Sequence, residues 1–245
     1  MIDPRASTAI VTGAGKRVGA AIASALLDDG WTVLAHVHHA ADEVPAGSVK
    51  VPADLSSTDC AEKIFEPAQA LPPVRLLVNN AARFAWDGFD EFSTGEFDAH
   101  MAVNVRAPAL LTGRMARGHG GGDALIVNIL DSKLAAPNAD YLSYTISKQA
   151  LAGLTELSAR ALAPSGIRVN GLAPGLMLRS AGQSEENFRA MHERNPLSRG
   201  VEPADLVGAI RYLVGADCVT GQVIVIDSGH RFLGLDRDVQ FLEGE

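Results

Sequence analysis

The chain has 245 residues, with 29 acidic against 21 basic side chains and a net charge of −8. That length suits one α/β domain with a full core, and the acidic balance repels phosphate backbones and anionic lipid, so neither a nucleic-acid nor a membrane partner is expected. Cys60 and Cys218 stand far apart and outside any CxxC or Cys/His spacing, which indicates neither a disulfide framework nor a zinc site.

The opening MIDPRASTAIVTG lacks a basic segment followed by a long apolar run, and a cytoplasmic protein without a leader or membrane helix is expected. Residues 8–12, TAIVT, form a short β-prone run that ends in a glycine turn, and residues 18–27 carry apolar side chains at helical spacing. Further apolar runs at 31–37, 49–52, 75–78, 124–130, 167–173 and 222–227 read as strands, with helical stretches at 58–70 and 95–117. The runs are continuous rather than alternating, as in parallel strands buried on both faces. Alternation of β and α units predicts one domain over residues 1–245: a doubly wound, seven-stranded parallel sheet with helices on both faces. Residues 177–196 are polar, lack an apolar period and follow the sixth strand, which makes them the expected substrate-covering flap; residues 230–245 form a tail.

The glycine turn TGAGKRVG contains Gly-Lys, but Arg17 stands where a Walker loop needs a hydroxyl for magnesium. With a strand before it and a helix after it, the loop carrying Gly13, Gly15 and Gly19 reads instead as a dinucleotide turn, its glycines letting the backbone approach a pyrophosphate at the helix N-terminus. Farther on, Tyr144 and Lys148 lie four residues apart in a helix-prone run, on one face. An ammonium near a phenol favours the phenolate and lowers its pKa from about 10 towards neutrality, making the tyrosine a usable proton donor and acceptor.

The series TGxxxxxG, Asp54, Asn79-Asn80-Ala81, Asn104, a polar residue after the fifth strand, YxxxK and Pro174-Gly175 resembles the short-chain dehydrogenase/reductase family from about residue 8 to about 229. The resemblance implies a Rossmann fold, hydride transfer with a nicotinamide cofactor, and a catalytic group of Asn104, Tyr144 and Lys148. It also implies that Asp54 accepts from the adenine amino group and that Asn104 holds a helix carbonyl and a water in a proton relay. Expected cofactor contacts are Gly13, Lys16, Arg17, Val18, Gly19, His36, His38, His39, Asp54, Leu55, Asn80, Ala81, Ala82, Tyr144, Lys148, Pro174 and Gly175.

Two positions depart from the family's majority: Arg17 replaces a loop glycine, and Asp131-Ser132 stands where a catalytic serine is usual. Aligned on Asn128-Ile129, Asp131 takes the serine position; a one-residue slip gives it to Ser132. Arg17, Asp131, Tyr141 one turn before Tyr144, Phe84, and the run Leu34-Ala35-His36-Val37-His38 together resemble the pteridine reductase branch. That branch implies a pterin stacked between nicotinamide and Phe84, with Arg17, Asp131, Tyr141 and Tyr144 around it and Asp131 feeding a proton to a ring nitrogen. The alternatives are a short-chain carbonyl reductase acting on a 3-oxoacyl thioester, a sugar or another ketone through Ser132, and a noncatalytic NADP-binding regulator.

No acidic residue lies between Val33 and Ala41, whereas NAD-preferring enzymes place one there for the ribose hydroxyls. Lys16, Arg17, His38 and His39 give a rim suited to a 2′-phosphate, so NADP(H) is the expected cofactor. The branch's Arg and Ser in that pocket are here His39 and Ala40. A metal cluster of His36, His38 and His39 is disfavoured because strand alternation splits the three between two faces; no metal is expected. The resemblance further implies a homotetramer, with small or apolar residues such as Ala150, Gly153, Leu154, Leu157 and Ala161 on an exposed helix face, and a tail that brings Arg237 to a neighbouring subunit's active site.

Overall fold

In the computed structural model, which describes residues 2–180 and 182–242, strands β1 (Thr8–Val11), β2 (Thr32–Val37), β3 (Val49–Pro52), β4 (Val74–Asn79), β5 (Ala124–Ile129), β6 (Ile167–Pro174) and β7 (Val223–Ile226) form one sheet. Their order is β3-β2-β1-β4-β5-β6-β7, and each neighbouring pair is parallel. The expected doubly wound, seven-stranded sheet is therefore present. The strand order reverses between β1 and β4, so a crevice opens beyond their carboxyl ends.

Strand alternation divides the core. Ala9 and Val11 of β1 face one helical layer, where they meet Ile22 and Leu26 of α1 (Arg17–Asp28) and Ile210 and Leu213 of α7 (Pro203–Gly215). Ile10 faces the other, with Ile64 of α2 (Cys60–Phe65), Leu111 and Met115 of α4 (Ala107–Gly118) and Ala159 of α5 (Leu142–Leu162). Each fully buried Leu or Ile here contributes roughly 1.5–3 kcal/mol of transfer free energy. No helix among the described residues is long and apolar enough to cross a membrane.

The structure revises several element boundaries. Pro67 ends α2 and starts a short 3-10 turn, so residues 58–70 do not form one helix. The stretch 95–117 splits into α3 (Thr94–Met101), a π-helical turn Ala102–Arg106, and α4. Asn104 sits in that π turn, a distortion that often marks a functional position. The flap contains α6 (Glu185–His192), capped by Ser184, whose side chain accepts from the Asn187 amide. Sequence reading omits α7, although its signals were present: a reciprocal Glu202/Asp205 capping box, Pro203 at the first turn, and apolar Leu206, Val207, Ile210 and Leu213.

Candidate active site

A cleft of about 930 Å³ opens over the carboxyl ends of the strands. The glycine loop forms its floor. Gly13 adopts φ +67°, and a Cβ at Gly19 would lie 2.1 Å from the Gly13 carbonyl, so only glycine allows α1 to start this close to the turn. Lys16 occupies the N-cap of α1 without a side-chain cap bond, leaving the first-turn N–H groups of this 12-residue helix open towards the cleft. Such an end favours an anion. Thr12 Oγ1 accepts from the Asn80 and Ala81 amides at 3.0 Å each, which locks the loop to the backbone after β4.

All the expected cofactor-contact residues line this cleft, but two are engaged differently from expectation. His36, expected as a cofactor contact, is buried and bonded to the backbone: its Nδ1 accepts from the Gly13 amide at 3.1 Å and its Nε2 donates to the Ala53 carbonyl at 3.0 Å. Burial lowers its pKa, consistent with a neutral ring that props the loop. Arg17, in a left-handed conformation (φ 52°), donates through Nη2 to the Arg179 carbonyl at 3.0 Å, tying the glycine loop to the segment after β6. His38 and His39 are exposed on the rim, where Asp42 and Glu43 join them. These two acids lay just beyond the window read for cofactor preference. Asp54 is exposed and accepts from the Ser56 amide at 2.8 Å, which lowers its pKa.

At the other end, Tyr144 Oη donates to Asp131 Oδ2 at 2.8 Å, while Asp131 Oδ1 accepts from the Lys133 amide at 2.8 Å and caps the turn Ser132–Ala135. Asp131, not Ser132, therefore faces the phenol. Lys148 Nζ donates to the Ile129 carbonyl at 2.6 Å and lies 5.6 Å from the Tyr144 ring centroid. Burial pushes Lys148 down to about 8, opposed by the Asp131 charge. The expected lowering of the Tyr144 pKa is reversed: burial, then the Asp131 charge and hydrogen bond, raise it well above its ordinary value. A carboxylate that accepts the phenol's proton in a hydrogen bond holds the phenol neutral.

Asn104 and Tyr141 lie behind the cleft, not on it. The Asn104 amide donates to the Arg83 carbonyl (3.0 Å) and to Ser147 Oγ (2.9 Å), its oxygen accepts from the Arg83 amide (2.7 Å), and Ser147 Oγ donates to the Tyr144 carbonyl (2.6 Å). These bonds clamp the backbone at 83 to α5. Tyr141, expected to touch substrate, is 3% exposed; its left-handed backbone turns the ring beneath the tail, where its hydroxyl donates to Gln240 Oε1 at 2.6 Å. Phe84 stacks one face on Tyr141, with centroids 4.3 Å apart, yet remains 44% exposed. One ring face is thus left for a ligand.

Sequence reading missed Asp87, which is buried and caps α5 from outside by accepting from the Ser143 amide (2.9 Å) and hydroxyl. It also missed Lys133 and Asp238, 3.6 Å apart on the cleft wall. The tail packs on its own chain: Arg237 Nε donates to Asp140 Oδ2 at 2.8 Å and Phe241 lies parallel to Tyr141 at 6.1 Å. Within this chain, then, Arg237 lines its own cleft.

Known proteins share this fold. The family profile described as enoyl-(acyl carrier protein) reductase matches residues 13–231. The chain belongs to the short-chain dehydrogenase/reductase family. As a member it is an oxidoreductase. The chain is 32% identical to L-xylulose reductase of Bos taurus over 235 residues, 90% of this chain and 95% of that protein. It is 30% identical to pteridine reductase 1 of Leishmania tarentolae, covering 93% of this chain and 97% of that one. Among solved structures, FolM alternative dihydrofolate reductase 1 of Brucella canis, complexed with NADP, superposes with a TM-score of 0.87 at 33% identity, covering 94% of this chain and 95% of its own.

Proposed function

We propose that the protein is an NADPH-dependent reductase of a pterin or dihydropterin. The observation that carries this reading is the Asp131–Tyr144 hydrogen bond of 2.8 Å beside the open face of Phe84. Similarity to the NADP-complexed FolM structures and to pteridine reductase 1 supports it. The cleft fits a dinucleotide: it offers an uncapped helix N-terminus, a glycine floor and a polar rim on which Lys16, His38 and His39 stand beside Asp42 and Glu43. Bound there, NADPH supplies the hydride.

This chain's residues do the remainder. Phe84 stacks on the flat, electron-poor bicycle and fixes its plane. Tyr144, held protonated, donates to the ring nitrogen next to the reduced carbon, and Asp131 restores the phenol's proton from solvent. An imine nitrogen needs that proton; Lys148, as an ammonium, would hold the nicotinamide ribose and opposes the negative charge left on Tyr144. A second reading, reduction of a sugar or other ketone, is favoured by the likeness to L-xylulose reductase and by Ser132 beside Asp131 on the cleft wall.

The test is NADPH oxidation with dihydrobiopterin, dihydromonapterin, dihydrofolate and simple ketones. Turnover of at least one pterin above every ketone is expected, with Phe84→Ala weakening pterin binding by about 1 kcal/mol and leaving NADPH affinity nearly unchanged. Ketone turnover alone would select the second reading.

The proposal extends to a cytoplasmic homotetramer. On α5, Leu157 is 67% exposed and a Cβ at Gly153 would meet nothing within 4 Å, so these two positions are uncovered by their own chain, with the exposed Glu156–Arg160 pair beside them. Light scattering at micromolar concentration is expected to give four times the mass of one chain; a monomer mass would contradict it.

A further inference from the structure

Two segments far apart in sequence line the cleft beyond β6 and β7: Met177 and Leu178 of the flap, and Leu235, Arg237 and Val239 of the tail. Asn187, on α6 and outside the cleft, joins them. Its Nδ2 donates to the Leu242 carbonyl at 2.6 Å and to the Val239 carbonyl at 3.2 Å, while its Oδ1 accepts from Gln183 Nε2 at 2.7 Å. Both sides of the amide are thus engaged. Gln183 is buried and its own oxygen accepts from the Ser180 amide at 3.1 Å, so the Asn187 side chain is oriented by the flap before it reaches the tail. Capping of α6 uses only the Asn187 backbone amide, bonded to Ser184 Oγ at 3.0 Å.

The segment that Asn187 holds is the one that meets Tyr141. Val239–Phe241 form a 3-10 turn capped by Asp238, and from this turn Gln240 Oε1 accepts from the Tyr141 hydroxyl at 2.6 Å. The Phe241 ring lies 24° from the plane of Tyr141 with centroids 6.1 Å apart, and Phe84 stacks on Tyr141 at 4.3 Å and 21°. Three near-parallel rings therefore connect the tail to the ring that faces the cleft. On the other side of the turn, Asp140 Oδ2 accepts from Arg237 Nε at 2.8 Å and from the Asp238 amide at 2.7 Å. Arg237 also lies over the Phe241 ring, 5.0 Å from its centroid. The turn is thus fastened at one end to the loop before α5 and at the other, through Asn187, to the flap.

We propose that Asn187 is a positioning residue for the substrate ring: it latches the flap to the tail, and the latched tail holds Tyr141 and so sets the plane in which Phe84 receives a flat bicycle. The inference rests on the reading of Phe84 as the stacking ring and deepens it, because flap closure and substrate stacking become one event. A ring fixes the plane of a ligand stacked on it only if the ring is itself held. Asn187 acts without touching substrate or cofactor, and the stacking it supports is the same before and during hydride transfer. Its loss therefore weakens substrate and transition state alike, which raises KM and spares kcat.

Asn187→Asp tests this with shape kept: the carboxylate still accepts from Gln183 but loses both donors and sets a negative charge against two carbonyl oxygens. The measurements are backbone hydrogen exchange of the full chain, read by mass spectrometry, beside steady-state kinetics. The Phe241 and Leu242 amides bond to the Asp238 and Val239 carbonyls. Their exchange is expected to be about 10-fold faster in the variant, the order that follows from losing two hydrogen bonds. Unchanged exchange in β4 and β5 and unchanged Kd for NADPH report an intact fold. KM for the pterin that the wild type reduces best should rise about 5-fold at near-constant kcat, a smaller effect than in the tail because the stacking ring is reached through Tyr141. Unchanged tail exchange in Asn187→Asp would overturn the latch, and faster tail exchange with an unchanged KM would overturn its link to the stacking ring. A fall in kcat and in NADPH binding together would overturn the positioning role in favour of a general structural one. A wild type that reduces no pterin, with tail exchange still faster in the variant, would overturn the pterin reading and leave the latch standing.

Discussion

Tyr144→Phe should lower pterin turnover by about 10²–10⁴-fold, the usual contribution of a positioned proton donor, and leave NADPH binding largely intact. The substitution removes one oxygen whose only assigned partner is Asp131 Oδ2 at 2.8 Å. The ring keeps its packing, since Phe84 meets it edge-on with centroids 4.8 Å apart and His100 at 6.5 Å. Loss of rate is therefore loss of a proton, not of shape. Single-turnover reduction at saturating NADPH, beside a separate binding titration, checks the two halves; near-normal turnover would remove Tyr144 as the donor. The pH profile gives a second check. Burial leaves Lys148 with a pKa of about 8, so its ammonium is lost as pH rises through that value. With the wild-type enzyme, kcat/KM is expected to decline above about 8, because a neutral Lys148 no longer opposes the charge left on Tyr144 after donation. In Tyr144→Phe the residual rate has no such charge to stabilise, so its alkaline decline should be absent.

The strands were the most legible part of the molecule, because parallel pairing buries both faces and writes itself as unbroken apolar runs such as ALIVNI in β5. Helices were read less well wherever their stability depends on something other than periodicity. The π turn at Asn104 is invisible to spacing, since one extra residue per turn changes which face a side chain occupies without changing composition. In α7 the opposite happened: the capping box at Glu202 and Asp205 was plain in the sequence, yet the helix lay outside the segments tied to chemistry.

At the site, residue types and order were legible but bonding was not. The pair Tyr144 and Lys148 does share a helix face, and both line the cleft. The sign of the phenol's shift was misread because spacing shows the neighbour four residues away and not the carboxylate delivered by another strand. Burial of the phenol raises its pKa most, and Asp131, 13 residues upstream beyond the end of β5, adds its charge and its hydrogen bond. Likewise Tyr141 looked like a substrate ligand until the tail, about a hundred residues later, covered it. His36 shows the same limit: strand alternation correctly separated it from His38, but only the fold reveals that Gly13 and Ala53 consume both its nitrogens.

Asp131→Ser is the change that separates pterin from ketone chemistry. The serine would restore the family's ordinary hydroxyl at the end of β5, able to donate to a carbonyl oxygen beside Tyr144 but unable to carry a proton in from solvent as a carboxyl does. Pterin turnover is expected to fall by about 100-fold or more, while turnover of any ketone substrate survives or rises. Electrostatics give the variant a further signature. In the wild type Asp131 raises the Tyr144 pKa through its charge and through the hydrogen bond it accepts, and it is the one charge that raises Lys148 against burial. Without it both groups shift down: the phenol ionises more readily and the ammonium is lost at lower pH. The activity maximum of Asp131→Ser towards ketones should therefore lie at lower pH than that of the wild type. Asp131→Asn tests the same point with shape kept, since an amide can still accept from Tyr144 but carries neither charge nor a transferable proton. If Asp131→Asn retains wild-type pterin kinetics, the carboxyl has no part in proton delivery, and the hydrogen bond to Tyr144 serves only to hold the phenol in place.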